Sequence, residues 1–147
     1  MILGFGSKGY KGKAMKMKEI SVLIVEDSIY SADLNIREIK KAGYDVAYQI
    51  ISSGQMMKTA ISKCKWDLII SDNSMPNFSA LEALEIRNEM NRATPFIIVS
   101  EDISTSDIDK AFQEDCSAFV AKEKLTELRT VVVEVLVHGS TGIKIGI

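Results

Sequence analysis

Residues 67–76 read Asp67-Leu68-Ile69-Ile70-Ser71-Asp72-Asn73-Ser74-Met75-Pro76, and this stretch decides the fold. Leu68, Ile69 and Ile70 are an unbroken apolar run, which suits a strand buried on both faces rather than one wetted at alternate residues. The run drives straight into an acid, Asp72. Pro76 cannot continue a central strand and disfavours helix at Met75, so the strand ends within a residue or two of that carboxylate. Asp72 is thereby put at the carboxyl end of a buried strand, where open α/β sheets keep their ligand sites.

Alone, Asp72 reads equally well as a turn or helix-capping acid. A second acidic strand end changes the balance: Val22-Leu23-Ile24-Val25 is also unbroken and apolar, and it runs into Glu26-Asp27-Ser28. If the two strands are parallel neighbours, three carboxylates meet at one sheet edge. Like charges at that range raise one another's pKa values unless a cation sits among them, so the cluster suits a hard divalent metal with oxygen ligands, Mg²⁺.

Outward from these strands, apolar runs and helical periods alternate. Ile20–Val25 is the first expected strand, followed by a helix capped by Ser28 with Ile29, Ala32, Ile36 and Ile39 at helical spacing, stopped by Gly43. Asp45–Ile51 reads as the second strand, and the next helix carries Met56, Ala60 and Cys64 on one face. After Pro76, Ser79 can cap a helix to about Asn91, with Leu81, Leu84 and Met90 apolar and Glu82, Glu85, Arg87 and Glu89 wetted. Pro95–Ser100 is a fourth buried strand. Ser104 caps a short helix through Ile108, Ala111 and Phe112 that breaks near Asp115. Ala118–Ala121 is a fifth strand ending in Lys122, and a last helix after Thr126 carries Leu128, Val132 and Val135 on one stripe.

Five strand–helix units with no hairpin signal predict an α/β fold: three layers, flavodoxin-like (βα)5, with a five-stranded parallel sheet and right-handed crossovers. The 147 residues suit one domain over 20–137, with a basic flexible leader over 1–19 and a C-terminal tail over 138–147. In that tail Ile143, Ile145 and Ile147 alternate, a pattern able to pair with an exposed sheet edge.

The net charge of -2 divides into +4 over residues 1–19 and -6 over the rest, too mild a balance to indicate direct nucleic-acid contact. Cys64 and Cys116 stand far apart with no CxxC pattern, and read as two reduced core thiols of a cytoplasmic protein. No apolar run approaches the roughly 18 residues that span a bilayer, and the lysines follow the apolar start rather than precede it, so neither a membrane span nor a signal peptide is expected.

Taken together, Glu26 and Asp27, Asp72, Ser100 and Lys122 fall at the ends of four strands, which a flavodoxin-like order turns toward one crevice. The motifs Val-Leu-Ile-Val-Glu-Asp (22–27), residues 67–76, Pro-Phe-Ile-Ile-Val-Ser (95–100) and Ala-Phe-Val-Ala-Lys (118–122) resemble the receiver domain of two-component response regulators, over about residues 19–137. The resemblance implies that Asp72 accepts a phosphoryl group. It implies that Asp27, Asp72 and the Ser74 backbone carbonyl bind Mg²⁺, with Glu26 holding a metal-bound water. It also implies that Ser100 and Lys122 contact the phosphoryl group and that Phe119 is the aromatic whose rotamer reports the switch.

The chemistry asks for these residue types independently. An anionic carboxylate attacking an anionic phosphoryl donor needs a metal to make the approach tolerable. Because transfer passes through a loose transition state, positioning and charge neutralisation supply most of the catalysis. Lys122 offers a compact, mobile cation and Ser100 a short hydroxyl donor. A phosphoryl group then adds charge and acceptor oxygens able to draw the Ser100 loop inward, changing the face around the fourth helix and fifth strand.

The expected partners are therefore a sensor histidine kinase or phosphotransfer protein upstream and a protein target downstream; a homodimer through the fourth and fifth helices is compatible with the sequence. The domain is expected to catalyse only its own phosphoryl transfer and dephosphorylation. With no output module after Val137, it reads as a stand-alone regulator, a relay carrier or a fragment of a longer chain.

Three positions depart from the family pattern. Glu123 follows Lys122 where most receivers have proline, and Asp115 replaces the usual glycine. Glu101 stands where a small residue leaves the site open. A carboxylate there supports the alternative reading, a pseudo-receiver that binds a partner without being phosphorylated. A hydrolase or flavin binder lacks the catalytic His and the glycine-rich phosphate loop.

Overall fold

Each apolar run becomes a strand, and each serine placed before a helical period becomes its cap. A computed structural model describes residues 17–147; the leader expected over 1–19 lies, up to residue 16, outside the described residues. The strands are β1 (Lys18–Val25), β2 (Tyr44–Ile51), β3 (Leu68–Ser71), β4 (Phe96–Ser100), β5 (Ala118–Ala121) and β6 (Ile143–Ile145). The helices are α1 (Ile29–Lys41), α2 (Gly54–Lys63), α3 (Ala80–Met90), α4 (Thr105–Gln113) and α5 (Leu128–His138), the last preceded by a 3-10 segment over Lys122–Glu127. Ser28, Ser53, Ser79 and Ser104 cap α1 to α4 through their side chains, and Ser79 forms a reciprocal capping box with Glu82.

The sheet is parallel throughout, in the order β2-β1-β3-β4-β5-β6. The order reverses between β1 and β3, so the carboxyl ends of these strands flank a crevice. Side chains alternate between two buried layers. Leu23, Val25, Ile69, Phe96, Ile98 and Phe119 pack with residues of α2, α3 and α4. Val22, Ile24, Leu68, Ile70, Ile97 and Val120 pack with those of α1 and α5. Strands buried on both faces explain why β3, β4 and β5 read as continuous apolar runs.

The sheet has six strands, one more than the five expected, because the alternating isoleucines of the tail do pair: β6 lies parallel to β5, Ala118 opposite Ile143 and Val120 opposite Ile145. Ile143 and Ile145 pack toward the α5 side, while Lys144 turns to α4, 3.9 Å from Asp109 Oδ1 and 5.0 Å from the centre of the Phe112 ring. Gly146, at φ +92°, lies so close to β5 that a Cβ there would stand 2.6 Å from the Ala121 Cβ.

Four other expectations change. Strand β1 begins at Lys18, inside the segment expected as leader. In α2 the buried methionine is Met57, not Met56, so the apolar face is shifted by one residue. Cys64 ends that helix exposed, so only Cys116 is a core thiol, its pKa pushed up to about 12 chiefly by burial.

The fourth is Arg87, expected to be wetted, which is 2% exposed. Its Nη1 donates to the Arg92 and Thr94 carbonyls and its Nη2 to the Asp115 carbonyl, tying the end of α3 to the turn after α4. Asp115 takes φ +67°, the left-handed geometry its aspartate tolerates.

Candidate functional site

The site is built where β1, β3 and β5 end. Glu26 follows β1 and is anchored by its own N–H, which donates to the Ile51 carbonyl at 2.9 Å. Its Oε2 accepts from the backbone N–H groups of Asp27 (3.1 Å) and Ser28 (3.2 Å). Its Oε1 is buried and has no hydrogen-bond partner. Asp72 follows β3 with its N–H on the Val25 carbonyl at 3.0 Å, which fixes it beside Glu26. Its Oδ1 accepts from the Asn73 N–H at 2.8 Å.

Lys122, the first residue after β5, reaches across both acids. Its Nζ stands 3.6 Å from Asp72 Oδ1 and 3.8 Å from Glu26 Oε1, too long for tight hydrogen bonds but close enough for strong Coulomb attraction at a largely buried site. The side chains of Glu26 and Asp72 are 2% and 3% exposed. Burial pushes the Glu26 pKa up to about 7, helped by the charges of Asp72 and Asp27 and opposed by the Ser28 N–H and by Lys122.

Ser100 ends β4, fully buried, and its Oγ accepts from the Asp102 N–H at 3.2 Å. Since Ser100 pairs with Ala121 in the sheet, it stands next to the strand end that delivers Lys122. Phe119 is buried in the α4 layer with Ile98, Ile108 and Ala111. Asp27 and Ser74 lie exposed on the loops after β1 and β3. Glu101, the residue after Ser100, is exposed too.

Among the described residues no three His, Cys, Asp or Glu side chains are grouped closely enough to hold a metal ion by themselves. Glu26 and Asp72 meet around Lys122, whereas Asp27 is at the exposed entry to α1. Mg²⁺ nonetheless fits the donor set, because it is bound by one or two carboxylates, keeps several waters and accepts a backbone carbonyl. The buried, unpartnered Glu26 Oε1 beside a second carboxylate is the feature a cation relieves.

A hollow of about 460 Å³ lies at the opposite, amino ends of β4 and β5, lined by Arg92, Pro95, Phe112 and Gly139 among others, away from the acids. Among the described residues no helix is long and apolar enough to cross a membrane.

Sequence reasoning missed Asn73. Its side chain bridges the loop after β4 and the start of α3, and nothing in a polar loop sequence distinguishes such a bridging amide from a solvated one.

Comparison with known proteins bears on the family and the fold. Residues 22–133 match the family model described as the response regulator receiver domain. The chain is 30% identical over 105 residues, 71% of its length, to the transcription factor SKN7 of Saccharomyces cerevisiae. It spans only 17% of that protein, and 4% of the hybrid signal transduction histidine kinase G of Dictyostelium discoideum, to which it is 24% identical.

Among solved structures, a DNA-binding response regulator of the LuxR family from Staphylococcus aureus superposes with a TM-score of 0.66 at 28% identity, over 79% of this chain and 98% of that one. The receiver domain of the sensor histidine kinase PA1611 from Pseudomonas aeruginosa, with a magnesium ion coordinated in its active-site cleft, shares the fold at a TM-score of 0.65 and 19% identity, over 82% of this chain and 98% of that one.

Proposed function

This chain belongs to the response regulator receiver domain family, and on that premise we propose that it takes a phosphoryl group from the phosphohistidine of a sensor histidine kinase or phosphotransfer protein onto Asp72. The observation that carries this reading is Lys122 standing 3.6 Å from Asp72 and 3.8 Å from Glu26 at the carboxyl ends of three strands. With Asp72 Oδ1 engaged by the Asn73 N–H and Lys122, Oδ2 is the oxygen left to attack phosphorus. As the new O–P bond forms, the N–P bond of the donor breaks and its electron pair leaves with the imidazole.

Lys122 balances the charge gathering on the phosphoryl oxygens, and the Ser100 hydroxyl donates to one of them. Asp27, Asp72 and the Ser74 carbonyl are the residues that would hold Mg²⁺, with Glu26 beside them; the ion supplies the charge neutralisation that lets two anions approach. The domain performs only its own phosphoryl transfer and dephosphorylation and turns over no external substrate.

Drawn toward the new group, the Ser100 loop repacks against α4 and Phe119, the aromatic we assign to the switch, and the altered face around α4 and β5 meets a downstream protein in the cytoplasm, without direct contact to nucleic acid or membrane. Self-association through α4 and α5 is compatible with this output.

The alternative, a pseudo-receiver that is never phosphorylated, rested on Glu101. Glu101 is exposed, as Asp27 and Ser74 of the site are, and the retained Glu26, Asp27, Asp72 and Lys122 argue against this alternative. Incubation with Mg²⁺ and acetyl phosphate separates the two: incorporation that disappears in Asp72→Ala supports phosphoryl acceptance, and no incorporation at millimolar Mg²⁺ supports the pseudo-receiver.

A further inference from the structure

Asn73 makes three hydrogen bonds that together tie the two sides of the crevice. Its N–H donates to Asp72 Oδ1 at 2.8 Å. Its Oδ1 accepts from the Ala80 N–H at 2.9 Å, one of the first amides of α3, which have no partner inside the helix. Its Nδ2 donates to the Asp102 carbonyl at 3.1 Å. The two side-chain partners define which end of the amide is oxygen, since one offers only a donor and the other only an acceptor.

Asp102 is held from its other side as well, because its N–H donates to Ser100 Oγ at 3.2 Å. The result is a continuous chain of bonds: the Asp72 carboxylate, the Asn73 backbone and side chain, the Asp102 peptide groups and the Ser100 hydroxyl. Ser100 Oγ already accepts from Asp102, so its own proton remains free to donate elsewhere. The loop after β4 thus has its hydroxyl pre-set by a bond that originates one residue beyond Asp72.

We propose that Asn73 is a positioning residue, a latch that sets where the β4–α4 loop, and with it Ser100, stands relative to Asp72. This rests on the reading of Asp72 as phosphoacceptor. With the latch made, the Ser100 hydroxyl is in register for an incoming phosphoryl oxygen. Without it, the Asp102 carbonyl turns to water and the loop drifts, so phosphoryl binding must first re-order it.

The test compares the full chain with Asn73→Ala and Asn73→Asp. Asn73→Asp keeps an acceptor for the Ala80 N–H and loses the donor to Asp102; Asn73→Ala loses both. The first measurement, made without any phosphoryl mimic, is hydrogen exchange at the Asp102 amide by NMR. Both variants are expected to exchange it about five-fold faster, the loss of one hydrogen bond of roughly 1 kcal/mol. The second is beryllofluoride affinity in Mg²⁺, expected to weaken by a similar factor in Asn73→Ala.

If Asn73→Asp keeps wild-type exchange at Asp102 while Asn73→Ala merely lowers Tm, Asn73 is a helix cap only and the latch is disproved. Unchanged exchange in both variants disproves it also. A wild-type chain that binds no beryllofluoride overturns the phosphoacceptor reading instead, and the exchange data still decide the latch.

Discussion

Lys122 Nζ stands 3.6 Å from Asp72 Oδ1, although the two residues are separated by two strands and two helices in the chain. Strand β5 delivers the amine and β3 the carboxylate, with β4 between them. Replacing Lys122 with Met keeps the stem and removes the charge. Phosphorylation by acetyl phosphate is expected to slow by about 10²-fold, the usual cost of losing one charge-stabilising group, with the fold retained by circular dichroism. An unchanged rate would mean that Lys122 is an ordinary solvated lysine.

Glu26 gives the site a pH signature. Its carboxyl is raised from 4.5 to about 7 in the folded chain, mainly by burial. The folded state therefore keeps a proton that the unfolded chain releases between those values, and stability falls as pH rises through that window and levels off above it. In metal-free buffer, urea unfolding should show wild-type stability declining from pH 5 to pH 8. Glu26→Gln should flatten that decline and be the more stable protein at pH 8. A variant as pH-dependent as wild type contradicts the burial argument. Millimolar Mg²⁺ should offset the decline in wild type alone.

Strand β6 depends on a glycine. At Gly146 a Cβ would meet the Ala121 Cβ at 2.6 Å, in a backbone geometry side chains rarely adopt. Gly146→Val should lift β6 from β5, costing about 1–2 kcal/mol. The Ile143 amide, which donates to the Ser117 carbonyl at 3.3 Å, should lose its exchange protection while β3 amides keep theirs. Retained protection at Ile143 would show that the contact is not required for docking.

Arg87 carries structural rather than chemical weight. Arg87→Met leaves the carbonyls of Arg92, Thr94 and Asp115 without their donor and is expected to cost about 3 kcal/mol. Arg87→Lys should recover little, since one ammonium cannot reproduce the fork. A loss under 1 kcal/mol by urea unfolding would show that water replaces the guanidinium at no real cost.

These four sites mark the boundary between what was legible in the sequence and what was not. Asp72, Glu26 and Lys122 could be read because each ends an apolar run long enough to be a buried strand, and parallel topology then brings the ends together. The serine caps were legible for the same local reason. Arg87 was not: a charge among Glu82, Glu85 and Glu89 reads as part of a wetted face, and only the carbonyls of distant turns reveal its burial. Asn73 and Gly146 were hidden in the same way, since their partners come from other loops or strands. Met56 and Met57 show the limit of periodicity, because adjacent methionines leave a helical face free to rotate by one residue.

The most direct measurement is the position of the phosphoryl group itself. After reaction with acetyl phosphate and Mg²⁺, borohydride reduction converts an aspartyl phosphate to homoserine, which peptide mass mapping locates. Homoserine at position 72, absent without Mg²⁺, is the result expected. An unreduced Asp72, or a modified residue at any other position, contradicts the account.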